Sequence, residues 1–542
     1  MLLSAALILA TASGQSFGID ELTYYGRVVD KAGRLIQYDP FDAEYLIAPF
    51  NGHLALGGRF VYELIFTTVG ADYEIFVIVN IVALVACVAL VFELARRRVG
   101  SLAALPLSIL LLFLGFASET LLWPFNLHTL FSLALGLGAV LTIQRNDRRG
   151  DVFACILLIL SIATLEVGLA FALGISVWLW SQDGRFRRMW IVVTPLAMYG
   201  AWWLWARRFE QSEAAASNLT TLPKTFLDAI ASTLGSLTGT DPVIPASYLT
   251  GITWFTRALA IVAVGALVLR LWRGRPPQTI WTWLVVLATY WLFLAVAARP
   301  PEAARYIFVG AAGAVLVAMD AIRGSVSDRL AGALAVVVLL ALPANIAQLV
   351  ENRDQDVLHL NGPVSRTEFA MVELAAPQVD PTYVVSADPR VAAAGGGLYI
   401  GLSAGAYLRA ADHNGSLAFS LDEVKSQPAE LRNLADVALV DALGLGLERS
   451  RGPTASTHCR AISTAPGAGV VTFRVPPGET ILRTRGRRPL ELGLRRFADV
   501  SSSVRVGWLQ PGKWMRLVIP PDRAREPWRA VVNAPVTACV SE

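Results

Sequence analysis

Apolar stretches long enough to cross a membrane recur through the first 350 residues of this 542-residue chain. They run roughly over Leu2–Phe17, Asp72–Leu94, Ser101–Ala117, Trp123–Ile143, Val152–Thr164, Val167–Trp180, Trp190–Trp205, Trp254–Leu271, Ile280–Ala297, Tyr306–Ile322 and Leu330–Ile346. A hydrocarbon core about 30 Å thick is spanned by about 20 apolar residues, so such runs read as membrane spans. Only 16% of the residues are charged, against about 25% in a soluble domain, and mean hydropathy is +0.52. The chain therefore reads as a polytopic membrane protein with a more polar tail. Its net charge of +4 sits mostly in short loops and reports topology, not a nucleic-acid partner.

Arginine sets the expected sides. The short loops "ARRRVG", "QRNDRRGD", "SQDGRFRRMW", "RLWRGRPP" and "RGSVSDRL" are basic, and the positive-inside rule makes all five cytoplasmic. Two of them are only about 30 residues apart, so the chain must go out and back within that length. Val152–Trp180 is accordingly expected to be a short hairpin with Glu166 near its outer tip. About 11 crossings result. The N-terminus is inside, and the loop Gly18–Ala71 and the tail after Val350 are outside. "MLLSAALILATASGQ" has no basic stretch before its apolar core and is read as a retained span. Its rivals are a cleaved signal peptide and a span that starts further upstream. Each version puts Asp20 outside.

The cysteines fit this plan. Cys87 and Cys155 fall within spans, where a thiol packs as a small apolar group. Cys459 and Cys539 bracket the last stretch of the tail and are expected to form a disulfide in an oxidising compartment.

Ionisable groups then gather at the outer face. Asp20 and Glu21, in "GIDELTYYG", emerge after the first span. His53 lies in "APFNGHLALGGRF", Glu119 in "GFASETLLWPFN", Glu166 at the hairpin tip, and Arg305 in "RPPEAARYIFVG". Each has an ordinary explanation: a solvated loop start, a helix cap, a water-facing tip, a snorkelling arginine. Charge near a bilayer is expensive unless it faces protein or water, so its recurrence on one face marks a candidate site. Around Phe60, Leu64 and Ile65 apolar residues recur at helical spacing, with Arg59 and Glu63 among them. This predicts a helix lying in the interface plane, with His53 at its start.

These residues resemble a family. "IDELTYY", "PFNGHLALGGRF", "SETLLWPFNLHTLFSLALGLGAVL", "ARYIFVGAAGAVL" and "NIAQLVENRDQD" resemble the GT-C glycosyltransferases. More narrowly, they are similar to actinobacterial glycosyltransferase-like membrane proteins of that class. The tail segment "RRFADVSSSVRVGWLQPGKWMRLVIPPDRAREPWRAVV" resembles their tail. The resemblance implies an integral membrane enzyme that uses a polyprenyl-phosphate-linked sugar donor. It makes Asp20 the catalytic base with Glu21 as its neighbour. Arg305, with Tyr306 beside it, would hold the lipid phosphate, and His53, Arg59 and Glu119 would line the substrate site. Glu166 is a site candidate on topology alone. Some members of the class use a divalent metal; no spacing here requires one. The expected acceptor is a cell-envelope glycan, lipid or protein, the setting is the plasma membrane with its lipids, and direct displacement would invert the anomeric centre.

The tail divides in two. Residues 351–455 read as an α/β linker region: a charged helical start, then "TYVVSA", "GLYIG" and "ADVALVDA" as short strands. "AAAGGGLYIG" is Gly-rich but lacks the strand–turn–helix context of a nucleotide fingerprint and is read as a loop. Residues 456–542 carry short β-rich runs at roughly ten-residue spacing with Pro/Gly turns, a sandwich signature. This part is a candidate carbohydrate-binding domain. Trp508, Trp514 and Trp528 are candidate sugar-stacking surfaces, with core packing the expected role of at least two. The expected fold is thus mainly α: a GT-C-like membrane bundle over 1–350, with its outer loop 18–71, followed by an extracytoplasmic α/β region and a β-sandwich. The competing functions are a transporter or flippase of lipid-linked sugars, and a non-catalytic envelope glycan-binding or assembly protein. A transporter would carry its charges near the bilayer midplane, whereas here they crowd one edge.

Overall fold

The computed structural model describes the chain apart from residues 28–38, 183–184, 209–214, 243–250, 275–276, 323–326, 356, 385–401, 454–456, 464–469, 501 and 542. Two units are present. One is Met1–Gln15 with Tyr38–His359; the other is Ser16–Gln37 with Leu360–Glu542.

Over the first 355 residues the helices are α1 (Leu2–Ala12), α2 (Ile19–Tyr25), α3 (Ala43–Ile47), α4 (Leu56–Thr68), α5 (Tyr73–Val99), α6 (Ser101–Leu112), α7 (Ser118–Leu122), α8 (Leu127–Ile143), α9 (Arg148–Thr164), α10 (Val167–Trp180), α11 (Arg185–Arg188), α12 (Trp190–Ala206), α13 (Leu222–Thr238), α14 (Trp254–Arg273), α15 (Gln278–Val296), α16 (Ala304–Ile322) and α17 (Asp328–Gln355). All but α2 belong to the first unit. Among the described residues six spans are long and apolar enough to cross a membrane: α5, α8 with the turn before it (Pro124–Ile143), α14, α15, α16 and α17; α6 with Gly115–Leu122 makes a seventh if that bent pair is one span. The other four expected segments, α1, α9, α10 and α12, are 11 to 17 residues long. At ~1.5 Å per residue α9 and α10 measure about 25 and 21 Å. Only Leu165 and Glu166 separate them, which makes the hairpin short.

Helix ends follow local chemistry. The Asp72 carboxylate accepts from Glu74 N at 3.0 Å to cap α5. Arg96, Arg97 and Arg98 close its last turn, where cations suit the helix dipole. The break between α6 and α7 bends the chain by 44°. Gly115 makes it possible: a Cβ there would lie 1.7 Å from the Asn345 carbonyl oxygen of α17.

Polar contacts tie the basic loops into one end of the bundle. Arg98 Nε meets Asp320 Oδ1 at 3.1 Å, and Arg270 Nε donates to Ala321 O at 2.8 Å. The Arg188 guanidinium takes Asp151 with both arms, at 2.5 and 3.1 Å, and also bonds Asn146 Oδ1 and Ile143 O. Gln182 Nε2 donates to Gln278 Oε1 at 2.6 Å. Because α5, α9, α10, α15 and α16 are rods, their other ends, with Glu166 and Arg305, lie at the opposite end of the bundle.

The second unit takes α18 (Val357–Ala375) from Leu360 onward, followed by helices Ala404–Asn414, Leu421–Ser426 and Ala429–Ala442. The strands are β1 (Pro49–Phe50) and β2 (His53–Leu54) in the bundle unit, then β3 (Leu447–Ser450), β4 (Thr457–Ile462), β5 (Val471–Val475), β6 (Gly478–Thr484), β7 (Leu490–Arg495), β8 (Val504–Leu509), β9 (Trp514–Ile519), β10 (Trp528–Val532) and β11 (Val536–Ser541) in the tail. The tail strands form two antiparallel sheets, ordered β5-β10-β7-β8 and β3-β9-β6-β11-β4. Cys459 and Cys539 sit directly opposite on β4 and β11 and are disulfide-bonded. Trp528 is 2% exposed and Trp508 45% exposed.

One strand expectation is corrected. "ADVALVDA" is not a strand but the second half of the helix Ala429–Ala442. Nearly every residue of the run is buried, and a short apolar run buried all round has no alternation to separate strand from helix. Of "TYVVSA", Val384 makes a single bridge to Ser403. "GLYIG" and "AAAGGGLYIG" lie outside the described residues.

Candidate active site

Glu119 and Arg305, 186 positions apart, meet at the end of the bundle away from the basic loops. Glu119 is on α7 and only 6% exposed. Its Oε2 accepts from the Arg305 backbone N at 3.0 Å, and its Oε1 pairs with Arg305 Nη2 at 3.2 Å. The carboxylate thus sits on the first turn of α16, where the helix dipole favours negative charge. Thr120 Oγ1 donates to Arg305 O at 3.2 Å, and Asn126 Nδ2 donates to Glu119 O at 2.9 Å. The guanidinium lies 5.8 Å from the centre of the Trp123 ring and 5.9 Å from that of Tyr306. Its side chain keeps 39% exposure, and its Nε has no hydrogen-bond partner among the described residues. An arginine oriented from behind by a buried carboxylate and flanked by rings is preset to take an anion in front.

His53 and Glu166 form a second pair, with Nδ1 and Oε2 2.8 Å apart. The short β1–β2 hairpin presents His53. Its turn is Asn51–Gly52, both at positive φ, the two-residue turn that suits strand twist. Glu166 precedes α10 and occupies its N-cap position. Burial opposes its charge, yet His53 by charge and hydrogen bond, with Arg299 adding, holds the Glu166 carboxyl below the usual carboxylate range.

The pairs are neighbours. Phe50 of the hairpin meets Phe125 at 5.7 Å, and Phe125 stacks on Trp123 at 5.4 Å.

Arg59 is buried beside the His53 hairpin, its guanidinium 5.7 Å from the centre of the Phe50 ring. It is 1% exposed on α4 and donates to Tyr45 O at 2.7 Å and to Ala48 O. It thereby holds the segment that leads into the His53 hairpin. On the same helix Phe60 and Leu64 are exposed. Gly57 and Gly58 let α4 pack closely: a Cβ on Gly58 would lie 1.9 Å from His128 Nε2, and one on Gly57 2.3 Å from Thr164 Oγ1.

Asp20 and Glu21 are in the other unit. Glu21 is fully buried, and its carboxylate accepts from Gly18 N at 2.7 Å at the start of α2. Asp20, one position earlier, is partly exposed. The segment is fixed to the tail. Tyr25 donates through its hydroxyl to Gly415 O at 2.8 Å, and Arg27 Nη2 donates to Asn414 Oδ1 at 3.2 Å. Tyr25 also packs on Tyr407, which stacks on Phe369 and donates to Glu373 Oε1 at 2.8 Å. Burial, reinforced by Glu373, pushes both tyrosine hydroxyls well above the usual range, so they remain donors.

Among the described residues no group of three or more His, Cys, Asp or Glu is placed to hold a metal ion. Trp123 and Asn126 were not singled out in the sequence, although Trp123 follows Glu119 by four positions, a spacing that puts two side chains on one face of a helical turn.

No family model and no curated protein matches the chain. Among solved structures it is similar to ArnT from Cupriavidus metallidurans bound to undecaprenyl phosphate, with 13% identity over 71% of this chain and 80% of that one, at a TM-score of 0.44. It is also similar to the archaeal oligosaccharyltransferase AglB from Archaeoglobus fulgidus in complex with an inhibitory peptide and a dolichol-phosphate. There the identity is 12% over 82% of this chain and 68% of that one, at a TM-score of 0.38. Likeness of this degree carries no argument about what this chain binds or does.

Proposed function

We propose that the chain is an integral membrane glycosyltransferase that moves a sugar from a polyprenyl-phosphate donor to an extracytoplasmic envelope acceptor. The observation that carries this reading is Arg305, held by buried Glu119 at the bundle end opposite the basic loops. Nucleotide sugars are made inside the cell, so transfer outside calls for a lipid-linked donor. Arg305 is assigned to the lipid phosphate, with Tyr306 and Trp123 beside it. Asp20 is assigned as the base; Glu21, spent on its own helix cap, supports the segment. His53 and Glu166 are assigned to the sugar or acceptor side, and Arg59 to positioning the His53 hairpin. In the transfer, Asp20 takes the proton of the acceptor hydroxyl, and the hydroxyl oxygen bonds to the anomeric carbon as the carbon–phosphate oxygen bond breaks. The polyprenyl phosphate leaves with the electron pair, its charge met by Arg305, and the anomeric centre inverts.

The basic end is assigned to the cytoplasm, so a reporter fused after Arg149 should read as cytoplasmic. The decisive test is release of polyprenyl phosphate by the purified full-length protein given polyprenyl-phosphate-linked pentoses and hexoses and an envelope-glycan acceptor. Arg305→Lys should lose most of the activity, because a point charge replaces the planar fork. Asp20→Asn should lose about 10²–10⁴-fold. Transfer at the wild-type rate by Asp20→Asn would remove it as the base. No release with any donor, from protein that melts normally, would sink the reading as a whole.

A further inference from the structure

The outer face of the four-stranded tail sheet carries four arginines against one exposed carboxylate, Glu491, and is net positive. On β10, Trp528, Ala530 and Val532 are buried; on β7, Leu490, Leu492 and Leu494 are buried. Alternation along a strand then sends Arg529 and Arg495 to the other face. The register sets Arg529 directly opposite both Arg474 on β5 and Arg495 on β7, a row of three arginines across three strands. Arg505 on β8 stands opposite Gly493, one row along, and Trp508 stands opposite Glu491 in the row after that. Like charges directly opposite on neighbouring strands, with Cβ atoms ~4.5–5.5 Å apart, destabilise a sheet. None of the four arginines is ion-paired among the described residues.

Arg495 supplies a second and independent observation. It is only 6% exposed, and its Nε has no hydrogen-bond partner among the described residues. A buried cation without a carboxylate is costly, and an anion reaching into the face would offset that cost. Arg474, Arg505 and Arg529 are exposed around it, and Trp508 presents a ring 45% exposed.

We propose that this face binds an anionic glycan, a polysaccharide carrying phosphate or carboxylate groups. The arginines take its anionic groups through paired N–H donors, and Trp508 packs on a neighbouring sugar ring. The recessed Arg495 suits a group pendant from a chain, which can reach inward. A plane of lipid headgroups would meet only the exposed arginines. The inference stands whether or not the membrane bundle transfers sugar.

The test uses the full-length protein in phosphatidylcholine nanodiscs, with dextran sulfate and neutral dextran of equal length as probes and binding followed by interferometry. Dextran sulfate should bind, with an affinity that falls as salt rises, and neutral dextran should not. Arg474→Gln with Arg529→Gln should weaken binding at least about tenfold, from two lost charge-assisted contacts. Trp508→Ala should weaken it by about three- to tenfold at an unchanged salt slope. Arg487→Gln with Arg488→Gln removes the same charge from an exposed turn outside this sheet and should leave binding within about twofold. Melting of every variant must match the wild type, which these exposed positions permit. Equal binding by the Arg474/Arg529 variant overturns the proposal. So does an equal loss in the Arg487/Arg488 variant, or capture of phosphatidylglycerol vesicles through this face by a protein that ignores dextran sulfate.

Discussion

At the scale of single residues, the candidate site is a matter of which charge holds which. Glu119 is buried and Arg305 is not, so the carboxylate serves the guanidinium and not the reverse. Glu119→Gln should keep the fold yet leave Arg305 unaimed. Donor turnover should then drop by about 10- to 100-fold, the size of an outer-shell orienting loss, read as polyprenyl phosphate release. The His53–Glu166 pair gives a pH prediction. Glu166 is held below its ordinary value of 4.5 in the folded protein. The stability this lends is therefore full above 4.5 and is lost as pH falls through the lowered folded value. Melting of the wild type should decline on acidification through that window, and His53→Ala should remove that part of the decline. The sequence made the members of these pairs visible, because charged residues at the edge of apolar runs are conspicuous: Glu119, Glu166 and Arg305 all stand out. The pairing itself was not legible. His53 and Glu166 are 113 positions apart, and nothing local says that a hairpin turn at Asn51–Gly52 will lift one against the other.

Elements were legible in proportion to the strength of their period. The long apolar helices, the amphipathic α4 and the alternating tail strands carry clear patterns. The helix Ala429–Ala442 does not, because nearly every residue of its second half is buried. That burial has a cause. Asp436 in this helix accepts from the backbone N of Arg496, Phe497 and Ala498, at 2.7 to 3.0 Å, just past the end of β7. Asp436→Ala should strand three donors at a cost of about 1–3 kcal/mol each, enough to unfold the tail, as limited proteolysis would show. In the bundle, the bend at Gly115 is set by the Asn345 carbonyl. Gly115→Ala should force α7 away from α17 and destabilise the bundle by about 1–3 kcal/mol, visible as a lower melting temperature of the detergent-solubilised protein. In the tail, the disulfide closes a separation of 80 residues. Cys459→Ser should lower tail stability by about 4 kcal/mol in the chain-entropy model, measured by denaturant unfolding of the full chain.

At the scale of the whole molecule, the feature hidden from the sequence is the company that Asp20 keeps. Read along the chain, Gly18–Ala71 is a single outer loop. In the structure Ser16–Gln37 groups with the tail, and Tyr38 onward with the bundle. Charge and hydropathy report which side of a membrane a segment is on, not which of two later structures will hold it. The holding contacts, Tyr25 on Gly415 and Arg27 on Asn414, are 387 to 390 positions apart. A chain cut after Val350 should therefore leave the segment around Tyr25 sensitive to protease in intact spheroplasts, where the full chain resists. Asn414→Ala should loosen it partially.

That docking also sets a clock. A ribosome that has just made Arg27 must add roughly 390 more residues before Asn414 exists, about 20 to 80 s at ordinary rates of synthesis. Throughout that interval the membrane helices can insert and pack, but the bonds from Tyr25 to Gly415 and from Arg27 to Asn414 cannot form. The segment that carries Asp20 would thus be among the last parts of the chain to be fixed in place, once Gly415 and Asn414 had been made. On the proposed function, transfer that depends on Asp20 could not begin before the tail had been made.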